Sequence, residues 1–219
     1  MRAGVLALQG GVAEHARMLE LVGAEVTLVR RERDLVGPDG VRLDALVLPG
    51  GESSTQDRLL RLLDLADPLR AAISSGLPTL GTCAGLILLA RDVLDPAPGQ
   101  QSFGLLDVAV RRNAFGAQLV STEAEFSVAL GELNEIGDPG SDERTVRGAL
   151  IRAPKIVTVG RGARVIVRHD GRILGATSTA DGVGSAGHGL GLVTGISFHP
   201  ELSNDPTLHR ALLNVGGRL

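Results

Sequence analysis

With 219 residues, the chain is long enough for one sizeable hydrophobic core and too short for two, so a single domain over 1–219 is expected. Hydrophobic residues make up 43% and charged residues 21%, but with four Phe and neither Trp nor Tyr the core must be aliphatic. A net charge of -3 without aromatic platforms among the basic residues argues against nucleic acid, no run approaches the ~20 apolar residues of a membrane span, and one cysteine forms no internal disulfide, so a cytoplasmic protein is expected.

Short Val/Leu/Ile-rich runs, each closing on a glycine-bearing turn and followed by helical spacing, predict a mostly parallel sheet covered on both faces. GVLAL at 4–8 is the first strand, and 12–22 is the first helix, with Met18, Leu19 and Val22 on one face. EVTLV at 25–29 and DALVL at 44–48 follow as strands. A helical pattern spans 59–75, with a break expected near Asp67-Pro68 because proline is excluded from helix interiors. PTLG at 78–81 is a short buried strand, and 84–91 is a helix.

After Pro96 the pattern changes. Alternating runs at 106–110, 156–159, 163–168 and 172–177 predict an antiparallel extension, with Asp170-Gly171 at the centre of a hairpin. The stretches 131–147 and 181–191 are polar or glycine-rich and are expected to be loops. LVTGISF at 192–198 is the last strand, and 206–215 is a closing helix.

Three motifs carry chemistry. Gly81-Thr82-Cys83-Ala84-Gly85 has the form of a nucleophile elbow between strand and helix, where flanking glycines let the chain reverse and a helix N-terminus favours thiolate. Most lone cysteines are small buried hydrophobes, and only the five-residue frame sets this one apart. A thiolate also needs a proton shuttle. Of the five histidines, His169 lies in a hairpin turn, His188 in a glycine-rich loop, and His15 and His209 within helices, as solvated or structural side chains. His199 directly follows a strand, and Glu201 two residues on can orient its ring. HPE alone could equally be a surface turn. The third motif is LPGGESS at 48–54, whose glycines can turn a peptide N–H into a site; the alternatives are a helix capped by Glu52 or Ser53, or a phosphate loop lacking its lysine. Gly51 and Ala84 are therefore candidate oxyanion donors.

LPGGES, GTCAG and FHPE, in this order, resemble the class I, triad-type glutamine amidotransferases, which have a flavodoxin-like fold. LALQGGVAEH, QSFGLLDVAVRRNAFGAQ, LIRAP and SFHPELSND narrow the resemblance to the glutaminase subunits of ribose-phosphate-dependent pyridoxal phosphate synthases, over almost the whole chain. The resemblance implies an α/β, three-layer flavodoxin-like fold and hydrolysis of L-glutamine by Cys83, His199 and Glu201. It further implies a glutamine pocket of Gly51, Glu52, Ser53, Arg112, Ile151 and Arg152, in which arginines suit carboxylate recognition.

The implied partner is a TIM-barrel synthase subunit that receives the ammonia, in large assemblies formed only with that partner. No metal and no bound cofactor are expected. GGESST replaces the usual GGESTT, and the predicted loops 131–147 and 181–191 look like insertions, which weakens any transfer of partner contacts there. Competing readings are a glutaminase of another pathway, a cysteine peptidase or deglycase of related fold, and a non-catalytic subunit with a vestigial triad.

Overall fold

The computed structural model describes residues 1–112, 122–130, 143–179 and 192–217. β1 (Arg2–Leu6), α1 (Val12–Leu21) and β2 (Glu25–Val29) open the chain. They are followed by α2 (Glu32–Leu35), the small hairpin β3 (Val36–Gly37) and β4 (Gly40–Val41), and β5 (Ala45–Leu48). α3 (Ser53–Leu62), α4 (Ala66–Ser74), β6 (Thr79–Thr82), α5 (Ala84–Leu89) and β7 (Ala90–Val93) complete the first half. The second half is β8 (Leu106–Arg111), β9 (Thr122–Ala129), β10 (Glu143–Leu150), β11 (Lys155–Val159), β12 (Ala163–His169), β13 (Arg172–Ser178) and β14 (Val193–Ile196). A 3-10 turn (Pro200–Ser203) and α6 (Thr207–Gly216) close the described chain.

Among the described residues, β2, β1, β5, β6 and β14 lie side by side and all pair in parallel. In chain rank that is the 2-1-3-4-5 order of flavodoxin-like sheets. Beyond β14 the pairing turns antiparallel through β13, β12, β9 and β10. The expected mostly parallel sheet with an antiparallel extension is therefore what forms.

The alternation of strand side chains divides the core. On β5, Ala45 and Val47 face one apolar cluster with Leu19 of α1 and Leu208 and Leu212 of α6. Leu46 and Leu48 face the other, with Leu60 of α3, Leu69 and Ile73 of α4, and Leu86 of α5. Each such leucine contributes roughly 1.5–3 kcal/mol on leaving water. Two helical layers thus sandwich the parallel strands and hold their carboxyl ends at one edge.

Several expectations need correction. The first strand is Arg2–Leu6, beginning before residue 4, and its pairing with Glu25–Val29 sets that register. The helical stretch breaks at Asp64, which takes a left-handed φ of 52° after the C-cap Leu63. Pro68 instead lies in the first turn of α4, where its missing N–H is no loss. The helix after Cys83 stops at Leu89, because Ala90–Val93 leave it to pair with β8. Residues 143–147, expected in a loop, belong to β10: Glu143 to Leu150 pair with β9, a partner that supplies the backbone bonds their polar side chains do not advertise. The rest of that predicted loop, the 181–191 loop and the RNAFG motif after Arg112 lie outside the described residues. The Asp170-Gly171 hairpin holds, with φ of 47° and 71° at the two turn positions.

Candidate active site

Cys83 stands between β6 and α5 with φ 49° and ψ −99°, a conformation that costs a non-glycine residue roughly 1–3 kcal/mol. The elbow is possible because Gly81 and Gly85 abut backbone to backbone, and any Cβ on Gly85 would overlap the Leu48 carbonyl. The Cys83 N–H donates to the Ile196 carbonyl at 2.8 Å, fastening the elbow to β14. The sulfur is thus presented at the carboxyl edge of the parallel strands, where open α/β sheets gather their sites.

His199 follows β14 and is held from the antiparallel half. Its N–H donates to the Ala149 carbonyl at 2.9 Å, and its carbonyl accepts from the Ala149 N–H at 3.1 Å, so the end of β10 clasps it. The His199 Nδ1–H donates to Glu201 Oε1 at 2.8 Å, and the same imidazole lines the cavity beside Cys83. Burial opposes charge on this ring, but Cys83 and Glu201 beside it outweigh that effect and raise its pKa to about 10. Burial likewise opposes ionisation of Glu201, yet His15 and His199 hold it well below the usual carboxylate range. Cys83, remote in sequence from the hydrogen-bonded pair His199–Glu201, is therefore brought beside it.

The signs of these shifts differ for stability. The raised His199 contributes stability that is complete below its ordinary 6.5 and is lost as pH rises through about 10. The depressed Glu201 contributes stability above its ordinary 4.5 that is lost as pH falls through its lower folded value.

A cavity of about 310 Å³ opens over Cys83 and His199, within the ~300–1,000 Å³ range of small-molecule pockets. Gly51, Glu52, Ser53, Arg112, Ile151 and Arg152 all line it, so the residues expected at the site are brought together there, while Ala84 lies buried just beneath at the start of α5. Gly50 passes so close that a Cβ on it would overlap the His199 ring and come within 3.4 Å of the Cys83 Cβ. Arg152 takes a left-handed φ of 43°, a second strained residue at the rim.

Glu52 has a more structural part than a bare carboxylate offered to substrate. It caps α3, accepting from the N–H groups of Ser54 and Thr55 at 3.1 and 2.7 Å and from both hydroxyls at 2.7 Å, and Arg112 Nη2 donates to it at 3.2 Å. Burial would raise its pKa, but the bonds from Ser54 and Thr55 bring it down to about 2. Its charge fixes the loop and holds Arg112 at the cavity.

Sequence reasoning missed Gln9, whose Oε1 accepts the Glu52 N–H at 3.0 Å at the cavity wall. Its position just beyond β1, at the same sheet edge, was the available signal. Also missed was the depth of His15 and His209, both fully buried, with His15 Nδ1 2.8 Å from His209 Nε2. Burial, above all, and the neighbouring His15 lower the His209 pKa to about 3, although Glu201 pulls the other way. Between pH 3 and 6.5 the unfolded chain therefore binds a proton at this residue that the folded chain does not. Stability must rise with pH across that window, by up to about 1.4 kcal/mol per pH unit from this group. His209→Gln, which retains an amide N–H toward His15, is expected to flatten the acid limb of a denaturant-midpoint profile between pH 6 and 4 by about one proton.

A sequence profile of the SNO glutamine amidotransferase family matches residues 5–214. The chain belongs to that family. It is 46% identical over 214 residues to the "Pyridoxal 5'-phosphate synthase subunit PdxT" of Parafrankia sp., covering 98% of this chain and 92% of that one. It is 47% identical over 212 residues to the protein of the same name from Kineococcus radiotolerans, covering 97% and 93%. A solved structure described as a glutamine amidotransferase superposes with a TM-score of 0.79 at 36% identity, covering 98% of each chain. The chain is thus an enzyme of the glutamine amidotransferase class, related over nearly its full length to subunits that serve pyridoxal phosphate synthesis. Among the described residues, no helix is long and apolar enough to cross a membrane.

Proposed function

We propose that the chain, acting as a single glutaminase domain in the cytoplasm, hydrolyses L-glutamine to L-glutamate and ammonia. It delivers the ammonia to a TIM-barrel subunit that builds pyridoxal phosphate from a pentose phosphate and a triose phosphate. The observation that carries this reading is Cys83 beside His199, whose Nδ1–H donates to Glu201, in a cavity lined by two arginines.

His199 takes the Cys83 thiol proton as Sγ attacks the side-chain amide carbon and passes it to the departing nitrogen, so that ammonia leaves and a thioester remains. Water then adds to the thioester, losing a proton to the same imidazole, and releases glutamate with the thiol restored. The developing oxyanion needs donors, each worth roughly 3–4 kcal/mol. Ala84 opens α5, so its N–H is one that a helix leaves without an internal partner. The Gly51 N–H is the second. The carbonyl of that same Gly50–Gly51 peptide accepts from the Gly11 N–H at 3.1 Å, and docking of the synthase subunit is the step that sets its final orientation.

Arg112 and Arg152 receive the substrate carboxylate. Arg112→Ala is expected to raise the KM for glutamine by about tenfold or more, the loss of a charge-assisted hydrogen bond, with a smaller change in kcat. Steady-state glutamate release checks it. The whole reading is tested by mixing the purified chain with a TIM-barrel synthase subunit and following glutamate release. A Cys83-dependent rate that rises on mixing supports it, and activity on a peptide or glyoxal adduct with none on glutamine rejects it.

A further inference from the structure

The Glu201 carboxylate is served by a second imidazole that the three-residue mechanism does not use. His15 Nε2 lies 3.3 Å from Glu201 Oε1 and 3.0 Å from Thr82 Oγ1, the residue before the nucleophile. His15 Nδ1 in turn meets His209 Nε2 at 2.8 Å. Both rings are fully buried, and both sit in the apolar stripe of their helices: His15 with Met18 and Leu19, His209 with Leu212 and Leu213. A buried imidazole retained in such a stripe needs partners on both nitrogens or carries a desolvation cost.

Proton counting fixes the direction of this line. One proton lies between His15 Nδ1 and His209 Nε2. If neutral His15 donated it, its bare Nε2 would accept from the Thr82 hydroxyl but also face the Glu201 carboxylate at 3.3 Å, and His209 would carry its own hydrogen on Nδ1, which is buried with no side-chain or backbone partner among the described residues. If His209 donates it, only a bare acceptor nitrogen is left over at His209 Nδ1, a smaller loss than an orphaned N–H. His15 must then carry hydrogen on Nε2, bonded to Thr82 Oγ1 and with Glu201 Oε1 3.3 Å away.

We infer that His15, its tautomer set by His209, is a positioning residue that holds Glu201 ionised and turned toward His199. The inference rests on Cys83, His199 and Glu201 acting as the triad. Glu201 Oε2 is buried without a partner among the described residues, so His15 and His199 together, both at Oε1, are what keep this carboxylate in place. Without His15 the carboxyl group gains a reason to take up a proton or rotate, and His199 Nδ1 loses its fixed acceptor. The other charged groups facing Glu201 are Glu14 and Arg17 of α1, which line a cavity with it; on the far side of His199 stand Cys83 and, across the substrate cavity, Glu52, Arg112 and Arg152.

The test compares His15→Leu with His15→Gln, whose amide N–H can take the place of Nε2–H, in the full chain with its synthase partner. His15→Leu is expected to lower kcat about 10–100-fold, part of the 10²–10⁴ that a positioned proton-transfer group contributes, with KM for glutamine changed less than about threefold. The pH profile of iodoacetamide alkylation at Cys83 should shift in His15→Leu and return toward wild type in His15→Gln. A wild-type alkylation profile in folded His15→Leu, or equal impairment of both variants at equal folded fraction, overturns the inference. Independently of any variant, ¹⁵N-histidine NMR of the wild-type chain must show His15 bearing hydrogen on Nε2; a bare Nε2 overturns it even if His15→Leu does not fold. Alkylation and NMR need no glutamine, so they decide this point even if glutamine proves not to be the substrate.

Discussion

Cys83→Ala is expected to abolish glutamine hydrolysis, with kcat reduced at least about 10⁴-fold, while the fold and glutamine binding persist. The sulfur is the nucleophile that sits beside the imidazole, and removal of a nucleophile that works as a unit with its base costs nearly all the rate enhancement of the chemical step. The residual rate over water would come from the oxyanion donors and the binding arginines. The fold should survive because Cys83 is held by its backbone, through the N–H bond to Ile196, and the substitution removes a single heavy atom. Equilibrium binding of glutamine to the inactive variant, alongside glutamate release, separates loss of chemistry from loss of the pocket. A Cys83→Ala chain that still released glutamate above a ten-thousandth of the wild-type rate would remove Cys83 from the mechanism.

Gly50→Ala has the second-largest expected effect, from a single methyl group that touches no substrate. A Cβ at this position would fall onto the Cε1 and Nδ1 edge of His199 and within 3.4 Å of the Cys83 Cβ. The ring cannot swing aside freely, being buried, bonded to Glu201 at 2.8 Å and clasped through its backbone by Ala149. Either the imidazole leaves the line between sulfur and carboxylate, or the turn after β5 moves and takes Gly51 with it. Both misplace a reacting group by about an ångström, for which about 10²-fold in kcat/KM is a reasonable expectation. Overpacking should also lower stability by about 1–3 kcal/mol. Steady-state kinetics with a parallel thermal melt checks both. Near-wild-type kcat/KM in Gly50→Ala would mean that the ring and the turn separate easily, and that the packed geometry is not what catalysis needs.

The parts of this protein legible from sequence are those whose cause is local. Strand and helix periods in the first half, the glycines framing Cys83, and the short HPE step that puts Glu201 beside His199 all act over a few residues. Position at a strand end then carries each of them to the same edge of a parallel sheet, so the site could be assembled on paper. The capping role of Glu52 was legible too, as one of two alternatives, because a cap bonds to N–H groups two and three residues on. The break between α3 and α4 was misplaced because Pro68 is a strong signal with a harmless position, whereas the left-handed turn at Asp64 announces itself weakly.

What the amino-acid order determined by itself was the alternation of elements, the elbow and its candidate partners, since backbone preference and covalent adjacency decide those. Only the tertiary structure decided that β10, polar enough to read as loop, would pair with β9 and grip His199 through Ala149. Only it decided that His15 and His209, 194 positions apart, would meet behind Glu201. Contacts at such separations depend on how two faces of a sheet are filled, and no local pattern encodes which buried side chain finds which.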